Sequence, residues 1–224
     1  MPKPPSPTRI YHITAVHNLP GIFASGQLIS TNGLHSEGLR AHNIAYQDIQ
    51  GRRALKVVTL GPGGVLHDYV PFYFAPRSPM LFTINNGNVP GCPYRQDDIV
   101  HMVSSVQKVV ESGMPFVFYN YNASLAFAEC FDSIEDLSNI DWPLFFETPK
   151  LGGYCKYWKS MHDNARYARR METRQAEFLV HDRMPLELIM GIGTSSERTQ
   201  DAVEQIAREH GVAVPVRSKP EWYY

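Results

Sequence analysis

A chain of 224 residues can bury one sizeable core and is short for two. With 43% apolar and 19% charged residues it has a globular composition, and its formal net charge of -1 excludes holding duplex DNA by bulk charge, so any nucleic-acid contact needs a local basic patch. No apolar run nears the roughly 20 residues of a membrane span, and three cysteines (Cys92, Cys130, Cys155) without a C-x-x-C pair argue against a zinc knuckle or a disulfide framework.

Residues 1–8 carry four prolines and no apolar h-region, and they read as a stiff disordered leader rather than a secretion signal, which points to the cytoplasm. Residues 9–14 (RIYHIT) alternate as a strand. Residues 17–25 form a short helix with Gly26 as its stop, and residues 31–43 read as a long functional loop. Residues 44–55 look helical and end in Arg52-Arg53, and residues 61–64 (GPGG) make a turn. Residues 69–75 form a strand whose early Pro71 suits an edge or a strand start. Strands follow at 99–104 and 116–119, weak helices at 124–130 and 133–137, and an irregular stretch at 145–157. A helix over 163–173 leads to a strand at 177–181 and another at 186–193. A helix over 196–210, with Ala202, Ile206 and His210 on one face, precedes a last strand at 212–216. Short strands and a few helices without steady βαβ alternation indicate an α+β fold, with residues 9–224 as one domain.

The common catalytic templates are missing: there is no P-loop, no G-x-G-x-x-G after a strand, no H-E-x-x-H and no G-x-S-x-G. No His pair stands at i, i+3 or i+4, so no metal is expected. Four features remain. His12 and Thr14 alternate on one strand face, ahead of a helix that offers backbone N–H groups to a nucleotide; a polar edge strand is the plainer reading. Arg52-Arg53 suits either a pyrophosphate or the negative end of a helix. Glu177 opens an apolar strand, where a carboxylate has one side in the core and the other in a cleft, as general-base work requires. Arg166, Arg169, Arg170 and Arg174 line up at i, i+3, i+4 and i+8, so a helix would gather them into a basic stripe. Tyr154, Tyr157, Trp158 and Tyr167 lie nearby, and base-stacking rings beside cations suit a single strand.

Taken together, YHIT with NLPGI and GQLI, IAYQDIQGRR, GGVLHDYVPFYFAPRSPML, RQAEFLV and the terminal WYY resemble the DarT family of DNA ADP-ribosyltransferase toxins over nearly the whole chain. The resemblance implies a compact α+β fold with two small, mostly antiparallel sheets around an NAD cleft. It implies NAD+ as co-substrate, with His12, Ile13, Thr14, Asn18, Gly21, Ile22, Ile29, Tyr46, Arg53 and Tyr73 at the dinucleotide. The NAD-binding loop and helix correspond to residues 34–53, and the substrate loop to residues 121–177. Glu177 and Arg53 are then the catalytic pair, with the proton acceptor between them left open. Arg77 and Met80 join the four arginines as implied DNA contacts. Phe127 and Met171 stand where some relatives carry a histidine and an arginine. The implied reaction is reversible, sequence-specific transfer of ADP-ribose to a base of single-stranded DNA, thymidine rather than guanosine. A protein ADP-ribosyltransferase or NAD glycohydrolase is the rival enzyme, and a non-enzymatic NAD- or DNA-binding module the remoter reading. A monomer opposed by a DarG-like macrodomain antitoxin completes the implied setting.

Overall fold

The structure, a computed structural model, describes residues 3–224. Strand β1 (Arg9–Ala15) runs into helix α1 (Leu19–Ser25), which Gly26 stops at φ 69°, a left-handed position that suits glycine. Then come β2 (Gln27–Ile29), α2 (Thr31–Ser36) and α3 (Gln47–Leu55). Strand β3 (Tyr69–Tyr73) is followed by α4 (Pro79–Asn85), β4 (Ile99–Ser105), α5 (Val106–Glu111) and β5 (Phe116–Tyr119). The middle of the chain holds β6 (Cys130–Phe131), α6 (Pro143–Phe146), β7 (Lys150–Leu151), β8 (Tyr154–Cys155) and α7 (Arg170–Thr173). The chain closes with β9 (Glu177–His181), β10 (Arg183–Pro185), β11 (Gly191–Thr194), α8 (Glu197–Glu209) and β12 (Val216–Ser218).

Eight strands join in the order β12-β11-β4-β1-β3-β9-β5-β6, antiparallel except for β11 with β12, and β2–β10 and β7–β8 form two small ribbons. The expected α+β class holds, and the two halves the resemblance implied are joined along a thin seam. Strand β1 pairs with β4 along its whole length, from Arg9↔Ser105 to Ala15↔Ile99. With β3 its pairing reduces to Tyr11↔Tyr73. Pro71 lies beside that seam and has no N–H to give, and its carbonyl accepts from His12 Nδ1 at 2.8 Å. Pro71 therefore stands in the middle of an interior strand rather than at the expected edge or strand start, because β9 pairs with the other side of β3 through Pro71↔Leu179.

Several local expectations change for physical reasons. Ser30 Oγ accepts from Gly33 N–H and caps α2 inside the segment expected to be loop, so the irregular part shrinks to residues 37–46. Residues 124–130 form no helix; Cys130 pairs with Tyr119 instead. The stretch 145–157 contains the β7–β8 ribbon. The last strand lies at Val216–Ser218, later than the expected 212–216, and β11 starts at Gly191 after a turn of 3-10 helix. Helix α8 buries Val203 and Ala207 and leaves Ala202 and His210 exposed. Residues 1 and 2 of the expected leader lie outside the described residues; Thr8, its last member, is fully buried and donates its N–H to Gln107 Oε1 at 2.9 Å.

The main core packs Ile10, Tyr11, Phe72, Phe74, Met102 and Phe178. A smaller cluster of Val58, Leu66, Tyr69, Val117, Tyr119, Ala123 and Leu179 lies on the other face of β3, β9 and β5. Strand alternation assigns Phe178 and Val180 to the first cluster and Leu179 to the second, so Glu177 shares the face of the smaller one.

His101 of β4 sits in the main core with no exposure. Its Nε2–H donates to the Pro76 carbonyl at 2.8 Å, and Nδ1 faces the Tyr223 hydroxyl at 3.0 Å. Burial pushes its pKa down to about 4. The folded state therefore holds His101 neutral, while the unfolded chain takes up a proton near pH 6.5. Stability is full above pH 6.5 and falls as pH drops towards 4, by about 3 kcal/mol for this residue. Urea midpoints measured from pH 7 to pH 4 check this; a flat profile would refute it.

Candidate active site

The site is built where β9 begins. Tyr73 of β3 and Tyr119 of β5 both stand directly opposite Glu177, so the three side chains share one face of the sheet. Glu177 is 2% exposed. Arg53 reaches it from the last turn of α3, 8% exposed. Its Nη1 donates to Glu177 Oε2 at 2.8 Å and Oε1 at 3.1 Å, and the Ala123 backbone N–H donates to Oε1 at 3.2 Å. The guanidinium and the amide take the place of the water that the buried carboxylate has lost. Arg53 Nη2 is also buried, with no partner among the described residues. One half of the guanidinium fork is thus occupied by Glu177, and the other half remains available to an acceptor.

The pair is held from both sides. Helix α3 is tied down by His67, whose Nε2–H donates to Gln50 Oε1 at 2.9 Å. Burial, and then the charge of Arg53, hold His67 below its ordinary pKa, so it stays neutral. Burial first, and the Glu177 charge second, push the Tyr73 hydroxyl up, and burial does the same to Tyr119. Both remain uncharged phenols beside the carboxylate. Gln175, two residues before Glu177, accepts from Asn122 Nδ2 at 3.4 Å. The loop after β5 is closed by Asn120 and Glu129, Asn120 Nδ2 donating to Glu129 Oε2 at 2.8 Å and Glu129 N–H returning to Asn120 Oδ1 at 3.0 Å.

The residues expected at the dinucleotide fall into two groups. His12 and Thr14 do share a face of β1, and Asn18 links that strand to the loop before α3. Its Nδ2 donates to Thr14 Oγ1 at 3.0 Å and to the His42 carbonyl at 3.1 Å, and its Oδ1 accepts from His42 N–H at 2.7 Å. Ile13, on the opposite face, is buried core. Gly21 and Ile22 lie on α1, and nothing stands within 4 Å of where a Gly21 Cβ would be, so that turn is open to a ligand. Tyr46 starts α3 and donates its hydroxyl to the Asn88 carbonyl. Tyr73 completes this group through its place beside Glu177. Ile29 stands apart on the β2–β10 ribbon.

The basic stripe does not form. Asn164 caps a 3-10 turn over Ala165–Tyr167, and Arg169 at φ -120°, ψ 21° interrupts the chain before the four-residue α7, so no helix spans 163–173. Arg174 is fully buried and donates to the carbonyls of Cys155 and Arg77 at 3.1 and 3.3 Å; burial lowers its pKa to about 10. Arg170 is buried over the Tyr167 ring at 3.6 Å and bonded to Glu147. Arg166 is bonded to Glu147 at 2.9 Å. Arg169 remains exposed, 4.8 Å over the Phe127 ring, which meets Tyr121 edge-on at 5.4 Å. Met80 contacts the site through Tyr73, whose hydroxyl lies 3.4 Å from its sulfur. Sequence reasoning missed Tyr119, and it took in Ala123 and Tyr121 only as members of the 121–177 loop, without a role of their own. The first two act by cross-strand register and by a backbone N–H, neither of which leaves a compositional mark; an aromatic in the polar run NYNAS was the available signal for the third.

Comparison with known proteins gives the family of the chain that carries this buried Arg–Glu pair. The family model for DarT, an ssDNA thymidine ADP-ribosyltransferase, matches residues 11–224. The chain belongs to the DarT family. A DNA ADP-ribosyl transferase of Thermus sp. (strain 2.9) is 39% identical over 224 residues, covering 98% of each chain. One from Escherichia coli O127:H6 is 30% identical, covering 98% of this chain and 95% of that protein. The solved Thermus sp. 2.9 DarT in complex with ADP-ribosylated ssDNA superposes with a TM-score of 0.87 at 37% identity, covering 100% of this chain and 99% of that one. The same DarT in complex with NAD+ gives 0.82 at 35% identity, over 99% and 100% of the two chains. As in those DarT structures, NAD+ is the co-substrate to which this site corresponds. Among the described residues, no three His, Cys, Asp or Glu stand together as a metal site. Among the described residues no helix is long and apolar enough to cross a membrane.

Proposed function

We propose that this chain transfers the ADP-ribosyl group of NAD+ to the thymine base of single-stranded DNA, with Glu177 and Arg53 as the catalytic pair. The observation that carries the reading is the half-used guanidinium: Arg53 Nη1 fixes Glu177, and Nη2 is buried with no partner among the described residues. A buried donor of that kind suits an anionic or carbonyl oxygen of a ligand. His12, Thr14, Asn18, Gly21, Ile22, Tyr46 and Tyr73 fit the NAD+ side; Ile13 and Ile29 would act through the packing behind it.

In the reaction the bond from the ribose C1′ to the nicotinamide nitrogen breaks, and its electron pair leaves with neutral nicotinamide. Positive charge develops on the ribose, which the Glu177 carboxylate stabilises. Thymine N1 is committed to its deoxyribose, so N3 is the ring nitrogen that carries a proton and can attack. N3 forms the new bond to C1′ and its proton passes to Glu177. As N3 loses the proton, charge spreads to the neighbouring carbonyl oxygens, and Arg53 Nη2–H suits one of them.

Incubation with NAD+ and short single strands that each lack one base tests this. Thymine-containing strands should gain one ADP-ribose by mass, and the strand without thymine none. Modification only where guanine is present would favour guanosine, and label on protein alone would favour the rival transferase. The reading also includes a monomer acting in the cytoplasm, opposed by a macrodomain antitoxin that removes the mark. Expression of the active chain alone should then arrest growth.

A further inference from the structure

Helix α3 carries Arg53 without an apolar anchor. No side chain of Gln47–Leu55 belongs to either core cluster, Leu55 is 81% exposed, and Arg53 is the one buried residue of the helix. Polar contacts therefore set where α3 lies, and the contact at Gln50 comes from the 3-10 turn Leu66–Asp68. We propose that His67 of this turn is a positioning residue for the transfer: as a neutral imidazole it fixes, through Gln50, the helical turn that carries Arg53, and uptake of a proton by its ring disturbs the Arg53–Glu177 pair. This role rests on the function proposed above.

The turn bridges the two members of the pair. Gln50 and Arg53 stand three residues apart and so share one face of α3. His67 Nε2–H meets Gln50 Oε1 at 2.9 Å on that face. Leu66, 1% exposed, packs in the smaller cluster with Tyr119 and Leu179, on the sheet face that also carries Glu177. Leu66 thus fastens the turn to the sheet of the carboxylate, and His67 fastens it to the helix of the guanidinium. The Leu66 N–H donates to the Lys56 carbonyl at 3.1 Å, just past the end of α3. Asp68 braces the turn from the other side: Oδ2 accepts from Val65 N–H at 2.7 Å, and Oδ1 accepts from Asn32 Nδ2 of α2 at 2.6 Å.

The surroundings decide what a proton does here. His67 is 9% exposed; Arg53 faces it from α3 and His35 from α2, Asp68 lies next to it in the chain, and His181 of β9 faces Asp68. Both Asp68 oxygens are already taken, by Val65 and Asn32. An imidazolium at His67 keeps its bond to Gln50, but it sets a second cation beside Arg53 where little water screens the two. Burial first, and then the Arg53 charge, hold the ring below its ordinary value of 6.5, so it is neutral at pH 7 and charges only on the acid side. The repulsion then acts on a guanidinium whose Nη1 holds Glu177 and whose Nη2 serves the ligand.

The test is the single-turnover rate of transfer from NAD+ to a thymine-containing strand, both saturating, from about pH 8 down to about pH 5. In the parent the rate should fall about tenfold towards pH 5 as His67 charges. His67→Gln supplies an N–H to Gln50 and takes up no proton. It should keep the parent rate at pH 8 within about threefold and lose the acid fall. His67→Leu removes the donor and should lower the rate about tenfold even at pH 8, with KM for the strand unchanged. Gln50→Leu should lower it as much, and the two together no further, since both remove the same bond. Urea midpoints confirm that each variant is folded at the pH used. An acid fall that persists in His67→Gln, or a parent-like rate in folded His67→Leu, overturns the role of His67 and leaves the function standing. Failure of the parent to modify any strand overturns the function, and this role with it.

Discussion

Glu177→Gln should lower kcat for base transfer by about three orders of magnitude and leave NAD+ affinity within about threefold. Glutamine keeps the shape and an oxygen for the Ala123 N–H, but it cannot accept the N3 proton or balance charge on the ribose. The same change should also destabilise the fold. Arg53 is 8% exposed, and its Nη1 loses an ionised acceptor that it now meets at 2.8 Å. Leaving one member of a buried pair charged and alone costs about 3 kcal/mol or more. Single-turnover transfer to an oligonucleotide gives the first number and urea unfolding the second. More than a tenth of the parent rate in a folded Glu177→Gln protein would remove Glu177 from the chemistry.

Arg53→Lys should lower kcat/KM about a hundredfold, with a loss of NAD+ affinity that Glu177→Gln does not show. A lysine can neutralise Glu177 as a point charge, but it cannot reach Glu177 with one nitrogen and a ligand oxygen with another, as the fork of Nη1 and Nη2 permits. Arg53→Met with Glu177→Gln extends the test to stability. With both charges gone, the double variant should be more stable than the sum of the single losses predicts, by about 2 kcal/mol. Strict additivity would mean that the two groups are not coupled in the folded protein.

Local signals made those two residues candidates, Arg53 at the foot of a helix and Glu177 at the mouth of an apolar strand, and it was the resemblance to the family that singled them out as a pair. The α+β class, and the strands at 9–14, 116–119 and 177–181, were readable from period-two alternation and β-formers for the same reason. The meeting of Arg53 with Glu177 was not readable, since 124 residues separate them and only sheet order brings them together. The arginine spacing misled because i, i+3, i+4 and i+8 mean one face only if a helix is continuous. Asn164 and Arg169 divide that segment, so Arg174 packs inside over Phe145 while Arg169 faces out over Phe127. Interior Pro71 was unreadable for a related reason: the pairing of β9 with β3 is set by sheet order, and a ring nitrogen of His12 from the next strand meets the Pro71 carbonyl.

The Asn120–Glu129 clasp has a consequence for how such an enzyme diversifies. Its two hydrogen bonds close residues 121–128 into a cassette whose ends are fastened to each other. Outward-facing members such as Phe127 can be exchanged without disturbing β5 or β9, so the surface offered to incoming DNA can drift under selection while the sheet beneath it keeps its sequence. Grafting that eight-residue insert from a relative with a different target preference becomes a rational way to retarget the enzyme, with the clasp marking where to cut and join.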